Sequence, residues 1–162
     1  MSISRSNEVL VVGLGSPIMK DDAVGLRVSE TIGNMHLENV DTQQEAIGGL
    51  DILPIISGYR MAIIVDAIMT REYGPGSVII FDPEDFESTV ADVPAHDVNL
   101  ATAMKIGRDL HPETMPDSIR FVAIEVEDIQ TMSETMSPSV ETAVSSAVDA
   151  VLHLISEYQK SK

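Results

Sequence analysis

The chain has 162 residues, of which 44% are hydrophobic and 22% charged, so its composition is that of an ordinary globular protein and its length suits one domain over 1–162. Its 26 acidic and 10 basic residues give a net charge of -16, which argues against nucleic-acid binding because that requires clustered Lys and Arg. It contains no cysteine, which excludes disulfides, thiolate metal sites and a cysteine nucleophile.

The first elements are predicted to be a strand, a glycine turn and a helix. Residues 9–12 form a short apolar run, typical of a strand that is buried on both faces. Gly13 and Gly15 allow a tight turn where that strand ends. A helix with an apolar stripe is predicted over 22–32. This order is the first half of a βαβ unit.

The glycine turn does not match a dinucleotide-binding fingerprint. The third glycine of that motif would fall at Ile18, and Pro17 lies inside it. Asp21 and Asp22 stand at the start of the helix, where two carboxylates repel a phosphate and attract a cation. A small nucleotide-binding protein with its phosphate at Gly13–Gly15 stays open as an alternative.

Strands and helices alternate along the rest of the chain, with bounds that follow from apolar runs and turn residues. They are a polar, edge-like strand at 40–47; a short helix at 50–56 after Gly48-Gly49; a buried strand at 61–65 closed by Asp66; a strand at 77–81; a polar loop at 82–95; a helix after His96 that Asp97 could cap; a strand at 119–126; and a last helix starting at Ser137-Pro138. The strand at 77–81 follows a short connection without a helix, so it should pair antiparallel. We therefore predict a three-layer α/β fold. Its central twisted sheet has five strands, mostly parallel with one antiparallel, and helices on both faces.

Three residues are placed where such sheets form sites, beyond the carboxyl ends of the strands. Asp22 follows the first strand, Asp66 ends the third, and His96 ends the loop after the fourth. Two carboxylates and one imidazole suit a divalent metal such as Ni, Zn or Mn better than Ca or Mg. A site with three protein ligands also leaves a position for water or substrate.

Each of these residues also has a structural interpretation. Asp21 and Asp22 could cap the first helix and favour its positive end. Asp66 could be a turn residue at the end of a strand, and His96 could be a structural histidine. The three other histidines lie in weaker contexts; they are His36, His111 and His153.

Four segments, in order along the chain, resemble the nickel–iron hydrogenase maturation endopeptidases. GLGSPIMKDDAVG is similar to the family's signature G-x-G-N-x-x-x-x-D-[DE]-[AG]-x-G. IIVDAIMTREYGPG resembles its second acidic segment, PAHDVNL its histidine segment, and MSPSVETAV the start of its last helix. The resemblance thus spans nearly the whole chain.

The resemblance implies an α/β protease that removes a short C-terminal extension from the hydrogenase large-subunit precursor after nickel insertion. It assigns the three metal ligands to Asp22, Asp66 and His96, which would complete the coordination of nickel supplied by the substrate. Other divalent ions, such as Zn or Cd, could occupy the same site. Gly48 and Gly49 resemble the glycine segment that shapes the substrate groove.

Two positions depart from the family pattern. Ser16 stands where Asn is usual, and Leu50 stands where Thr or Ser is common after the glycines. Neither position is one of the three proposed ligands.

The sequence therefore predicts a metal-dependent endopeptidase that acts on a nickel-loaded precursor. The alternative from another class is a nickel-binding checkpoint module that docks the large subunit without cutting it. No run of 18 apolar residues and no signal-peptide core is present, so we expect a cytoplasmic protein without membrane or nucleic-acid partners. We expect it to be a monomer.

Overall fold

A computed structural model describes residues 5–86 and 95–162, with the side chains of 86 and 95–99 outside that description. The described strands form one sheet in the order β2-β1-β3-β5-β4. They are β1 (Val9–Leu14), β2 (Val40–Glu45), β3 (Met61–Ile68), β4 (Val78–Phe81) and β5 (Ser118–Glu125). All neighbours pair parallel except β4, which is antiparallel to β5. The predicted fold class is confirmed.

Two pairs of helices cover the two faces of the sheet. The helices are α1 (Val24–Gly33), α2 (Ile52–Ile56), α3 (Ala95–Leu110) and α4 (Pro138–Lys160), with 3-10 turns at Lys20–Ala23, Gly49–Asp51 and Pro83–Phe86. Buried side chains of α1 and α4 share a core with one face of the sheet, and those of α2 and α3 share a core with the other. Among the described residues, no helix is long and apolar enough to cross a membrane.

The buried positions follow the apolar pattern of the sequence. All six residues of β1 are buried, as expected for a central parallel strand with helices on both sides. The α1 residues Val24, Val28 and Ile32 are spaced by four and are at most 1% exposed, because this spacing places them on one face of a helix. Each fully buried aliphatic side chain contributes roughly 1.5–3 kcal/mol relative to an exposed one. The edge strand β2 is polar and only partly buried, also as predicted.

Among the predicted boundaries that differ from the structure, three concern Asp66, the start of α3 and the end of β2. Asp66 does not close its strand, because β3 continues to Ile68 and Asp66 pairs with Ala123 of β5. His96 and Asp97 lie inside the first turn of α3, which begins at Ala95, so Asp97 does not occupy the N-cap position. β2 ends at Glu45 and not at residue 47. Residues 87–94 of the predicted loop lie outside the described residues.

The sheet order fixes where a site can form. From β1 the chain crosses to β2 on one side, and from β2 it crosses back to β3 on the other side of β1. The loops that follow β1 and β3 therefore diverge, and in open α/β sheets such a switch point leaves a crevice at the carboxyl ends of the strands. The pairing of β1 with β3 ends at Gly13 and Val65, so Asp66 is the first β3 residue beyond it.

Candidate active site at the carboxyl edge of the sheet

A cleft of about 610 Å³ opens at this switch point. Segments from four strands line it, and most of the lining is apolar. The lining residues are Gly15, Ser16 and Asp22 after β1; Ala46, Ile47 and Gly48 after β2; Asp66 to Met69 at the end of β3; and Val126 and Ile129 after β5. Two of the three predicted ligands, Asp22 and Asp66, are thus in one cleft.

Asp22 is positioned by the turn that precedes α1. It lies in the 3-10 turn Lys20–Ala23 and is partly buried. Its Oδ2 accepts a hydrogen bond of 3.0 Å from the backbone N–H of Ser16. This bond closes the glycine turn onto the acid and fixes the carboxylate at the wall of the cleft. The backbone supplies the donor, so the presence of Ser16 in place of Asn leaves this bond unchanged.

Asp66 is positioned by the sheet itself. It is 5% exposed, at the point where β3 passes the end of β1. Its Oδ1 accepts a hydrogen bond of 2.9 Å from the backbone N–H of Ala67. A carboxylate on a paired strand has little conformational freedom, which suits a group that must meet a substrate in one geometry.

Close packing of glycines brings the β1 turn against α1. A Cβ on Gly25 would lie 2.5 Å from the carbonyl oxygen of Val65 and 2.6 Å from that of Leu14. Gly15 has a φ of +147°, which L side chains rarely adopt, and a Cβ there would lie 1.9 Å from the carbonyl oxygen of Asp22. Only glycine at these positions lets the helix start, and with it Asp22, lie close to the strands.

Asp21 has a different role from its neighbour. It is fully buried and its carboxylate accepts four hydrogen bonds from the segment between β5 and α4. Ser137 donates its N–H to Oδ1 at 2.7 Å and its hydroxyl to Oδ2 at 2.9 Å, while Oδ2 also accepts the N–H groups of Glu127 at 3.2 Å and Asp128 at 3.0 Å. Asp21 therefore holds this segment in place. Ser137 occupies the N-cap position of α4 as predicted, but its hydroxyl binds Asp21 and does not cap the helix.

For the third predicted ligand, His96, the structure describes only the backbone. His96 is the second residue of α3, and its side chain lies outside the described residues. Among side chains that the structure describes, no cluster of three His, Cys, Asp or Glu could hold a metal, so the grouping of Asp22, Asp66 and His96 stays a prediction. The other three histidines are exposed and none lines the cleft.

The glycine pair after β2 lies at the rim of the cleft. Gly48 is extended and lines the cleft. Gly49 begins the following 3-10 turn with a φ of +60°, and a Cβ there would meet no atom within 4 Å. Space is therefore open beside this pair, and its role in a substrate groove stays a prediction.

Glu125 is a structural carboxylate that sequence reasoning missed. It ends β5, is 1% exposed, and accepts hydrogen bonds from the N–H of Thr70 at 2.9 Å and from the Thr70 hydroxyl. It also accepts a longer one of 3.4 Å from the N–H of Arg71. These bonds fix the loop after β3, next to Met69 of the cleft. The signal in the sequence was an acid inside the apolar run of residues 119–126, because a buried carboxylate needs hydrogen-bond partners.

Chemically, the cleft offers two fixed carboxylates above partly apolar walls. Carboxylates accept hydrogen bonds, bind divalent cations and can act as bases. Both acids are in positions where backbone N–H groups orient one oxygen each. Two carboxylates suit a cation-binding or hydrolytic site better than a phosphate site. The glycine turn, which lies within the described residues, shows no feature that favours binding of a nucleotide phosphate at Gly13–Gly15.

Comparison with known proteins gives the family. The family model described as "HycI: Hydrogenase maturation protease" matches residues 27–154. The chain is 23% identical over 152 residues to the Hydrogenase 2 maturation protease of Escherichia coli K12. This alignment covers 92% of this chain and 91% of that protein. The family model includes Asp66 and His96 and begins after Asp22.

Solved structures show the same fold. The hydrogenase maturating endopeptidase HybD from E. coli superposes with a TM-score of 0.80 at 23% identity, covering 93% of each chain. The [NiFe] hydrogenase maturation protease HybD from Thermococcus kodakarensis superposes with a TM-score of 0.72 at 25% identity, covering 91% of this chain and 98% of that one. Since the family model matches more than half of the residues, the chain belongs to the hydrogenase maturation protease family.

Proposed function

We propose that this protein is an endopeptidase that removes a C-terminal extension from the large-subunit precursor of a nickel–iron hydrogenase after nickel has been inserted. One observation carries the proposal. Asp22, in the turn after β1, and Asp66, in β3, line one cleft at the switch point of the sheet, in a chain of the hydrogenase maturation protease family.

In this proposal the nickel belongs to the substrate. The precursor brings a metal centre that is already held by its own ligands, and Asp22, Asp66 and His96 complete its coordination. Carboxylate and imidazole donors suit such a borderline divalent ion. Since a protein site of only three ligands is incomplete, the free protease is expected to bind the metal weakly, and recognition then depends on the precursor being loaded.

Hydrolysis requires a polarised carbonyl and an activated water. A divalent ion can supply both, because it withdraws electron density from a carbonyl oxygen and lowers the pKa of a bound water. The fixed carboxylates of Asp22 and Asp66 hold the centre in one orientation relative to the peptide, and a carboxylate near the water can also take up its proton.

The cleft has a form that suits a peptide. Its walls at Ile47, Ile68 and Met69 are apolar, and Gly48 carries no side chain where an extended segment would pass. The C-terminal extension would lie along these walls with its scissile carbonyl near the two acids.

The experiment is intact-mass measurement of a precursor incubated with this protein, with the precursor prepared with and without nickel. The proposal expects loss of a C-terminal peptide only from the nickel-loaded form. Equal cleavage of the nickel-free form would show that nickel is not the recognition element. A stable complex with no change in mass would replace the protease by the checkpoint function.

A further inference from the structure

Large apolar side chains are exposed mainly around the cleft. Eight such side chains are exposed among the described residues, and five of them are in loops that follow the parallel strands. These five, here called the apolar rim, are Ile18 at 45% exposure, Leu50 at 55%, Tyr73 at 41%, Ile129 at 36% and Met132 at 75%. The other three lie elsewhere; they are Met35 after α1, Ile80 in β4 and Leu110 at the end of α3. Clustering of this kind marks interaction sites more often than single exposed residues do.

Hydrogen bonds join the loops that carry the apolar rim. Ile18 accepts the backbone N–H of Ser133 at 2.8 Å, and Lys20 donates its N–H to Ser133 at 2.9 Å. The loop after β1 is thus bonded to the loop after β5 next to Met132. Ile129 lines the cleft directly.

The remaining two rim residues adjoin the cleft through their neighbours. Leu50 lies two residues beyond Gly48, which lines the cleft. Tyr73 lines a groove together with Met69 and Val126, and both of those residues also line the cleft. The apolar rim therefore lies at the same edge of the sheet as the site of the proposed reaction and adjoins it through Ile129 and Tyr73.

The loop that carries Ile129 and Met132 is held in place by hydrogen bonds. Asp21 binds the backbone at Glu127, Asp128 and Ser137. Asp128 in turn accepts the N–H of Thr131 at 3.0 Å and its hydroxyl at 2.6 Å, and these bonds lower the pKa of Asp128. Ile129 and Met132 are thus presented by an ordered segment, and a surface that is ordered before binding loses less conformational entropy in a complex.

Charges in the same loops are mainly acidic. Asp51, Glu72, Glu127 and Glu134 are exposed there, against the basic residues Lys20 and Arg71. A partner that covers this surface would match it with an apolar centre and Lys or Arg side chains around it, because complementary charge speeds association and excludes other partners.

We propose that the apolar rim is the docking surface for the folded body of the large-subunit precursor, distinct from the contacts that the cleft makes with the extension to be removed. This inference rests on the proposed function. It also specifies the precursor surface by its chemistry: an apolar patch surrounded by basic residues.

The test compares two double variants with the wild-type protein on the nickel-loaded precursor. Leu50→Asn with Met132→Asn replaces the two most exposed rim side chains by polar ones. Met35→Asn with Leu110→Asn is the matched control, since these residues are 42% and 67% exposed and lie where helices end, at the opposite edge of the sheet. All four positions are exposed, and unfolding curves will check that each variant folds.

Docking through the rim predicts a KM raised about tenfold or more in the rim variant, with kcat nearly unchanged and with wild-type kinetics in the control. Raising ionic strength from about 0.05 M to about 0.5 M should raise the wild-type KM, because it screens the acidic surroundings. A rim variant with the wild-type KM overturns the docking surface while the proposed function stands. A wild-type protein that removes no peptide overturns the proposed function itself.

Discussion

Asp21 and Asp22 are adjacent acids with separable roles, and replacing Asp21 by Asn tests this most clearly. The variant has the same shape, so it leaves no cavity. An amide provides only one acceptor oxygen, whereas the Asp21 carboxylate uses both oxygens. We expect Asp21→Asn to destabilise the fold, and Asp22→Asn to abolish processing with a smaller effect on stability.

The size of the effect follows from the four donors around Asp21. In the better orientation, the amide oxygen replaces Oδ2 and keeps the hydroxyl of Ser137 and the N–H groups of Glu127 and Asp128. The amide nitrogen then faces the N–H of Ser137, which was 2.7 Å from Oδ1. A buried N–H without an acceptor costs roughly 1–3 kcal/mol, and the three remaining bonds lose their charged partner. The expected loss is about 3 kcal/mol in the free energy of unfolding, a large part of the stability of a typical domain.

Urea unfolding followed by circular dichroism measures this loss. Asp149→Asn is the matched control, because Asp149 is exposed on α4 and an exposed substitution changes stability by less than about 0.5 kcal/mol. A loss below about 0.5 kcal/mol for Asp21→Asn, at an unchanged m-value, would refute the assignment of Asp21 as the residue that holds the β5–α4 segment.

Two further predictions concern residues that support the cleft, and a third concerns Tyr59, a buried tyrosine at the opposite edge of the sheet. Gly25→Ala should lower the free energy of unfolding by about 3 kcal/mol or more, because its Cβ would overlap two backbone carbonyls; Gly74→Ala, whose Cβ meets nothing closer than 4.0 Å, is the control and should unfold like the wild type. Glu125→Gln should speed hydrogen exchange at the amide of Thr70, which the carboxylate now binds, and unchanged exchange would contradict the role given to Glu125. Burial, and next a hydrogen bond to a carboxylate, raise the pKa of Tyr59 to about 12. Its folded-state pKa is thus above the unfolded value of about 10, so its contribution to stability should be complete below pH about 10 and disappear as the pH rises through about 12. Tyr59→Phe should remove that step from the pH dependence of unfolding, and a step of equal size in the variant would exclude Tyr59 as its source.

The fold could be predicted because its signals are local. The apolar run of β1 and the four-residue spacing of apolar residues in α1 each reflect the burial of residues that are close together in the chain. The short connection before β4 indicated that β4 pairs antiparallel. The sheet order places Asp22 and Asp66 on either side of the switch point. The prediction that both lie at one edge of the sheet therefore needed only the general rule for α/β sheets.

The parts that sequence reasoning missed depend on contacts between distant segments. Nothing near Asp21 indicates that its partner is Ser137, which is 116 residues away. A serine directly before a proline is typical of a helix N-cap. In this fold, however, the hydroxyl of Ser137 donates its hydrogen bond to the buried carboxylate of Asp21. Asp66 was expected to end its strand because an acid after an apolar run resembles a turn, but β5 continues the pairing beyond it and keeps it within the sheet.

The most direct test of the central claim is the intact mass of a nickel-loaded precursor incubated with the wild-type protein, with Asp66→Asn and with His96→Ala. We predict removal of a single C-terminal peptide by the wild type and a rate at least about a hundredfold lower for both variants, since each loses one group that completes the coordination of the substrate's nickel. Correctly folded variants that release the same peptide at the wild-type rate would contradict the account.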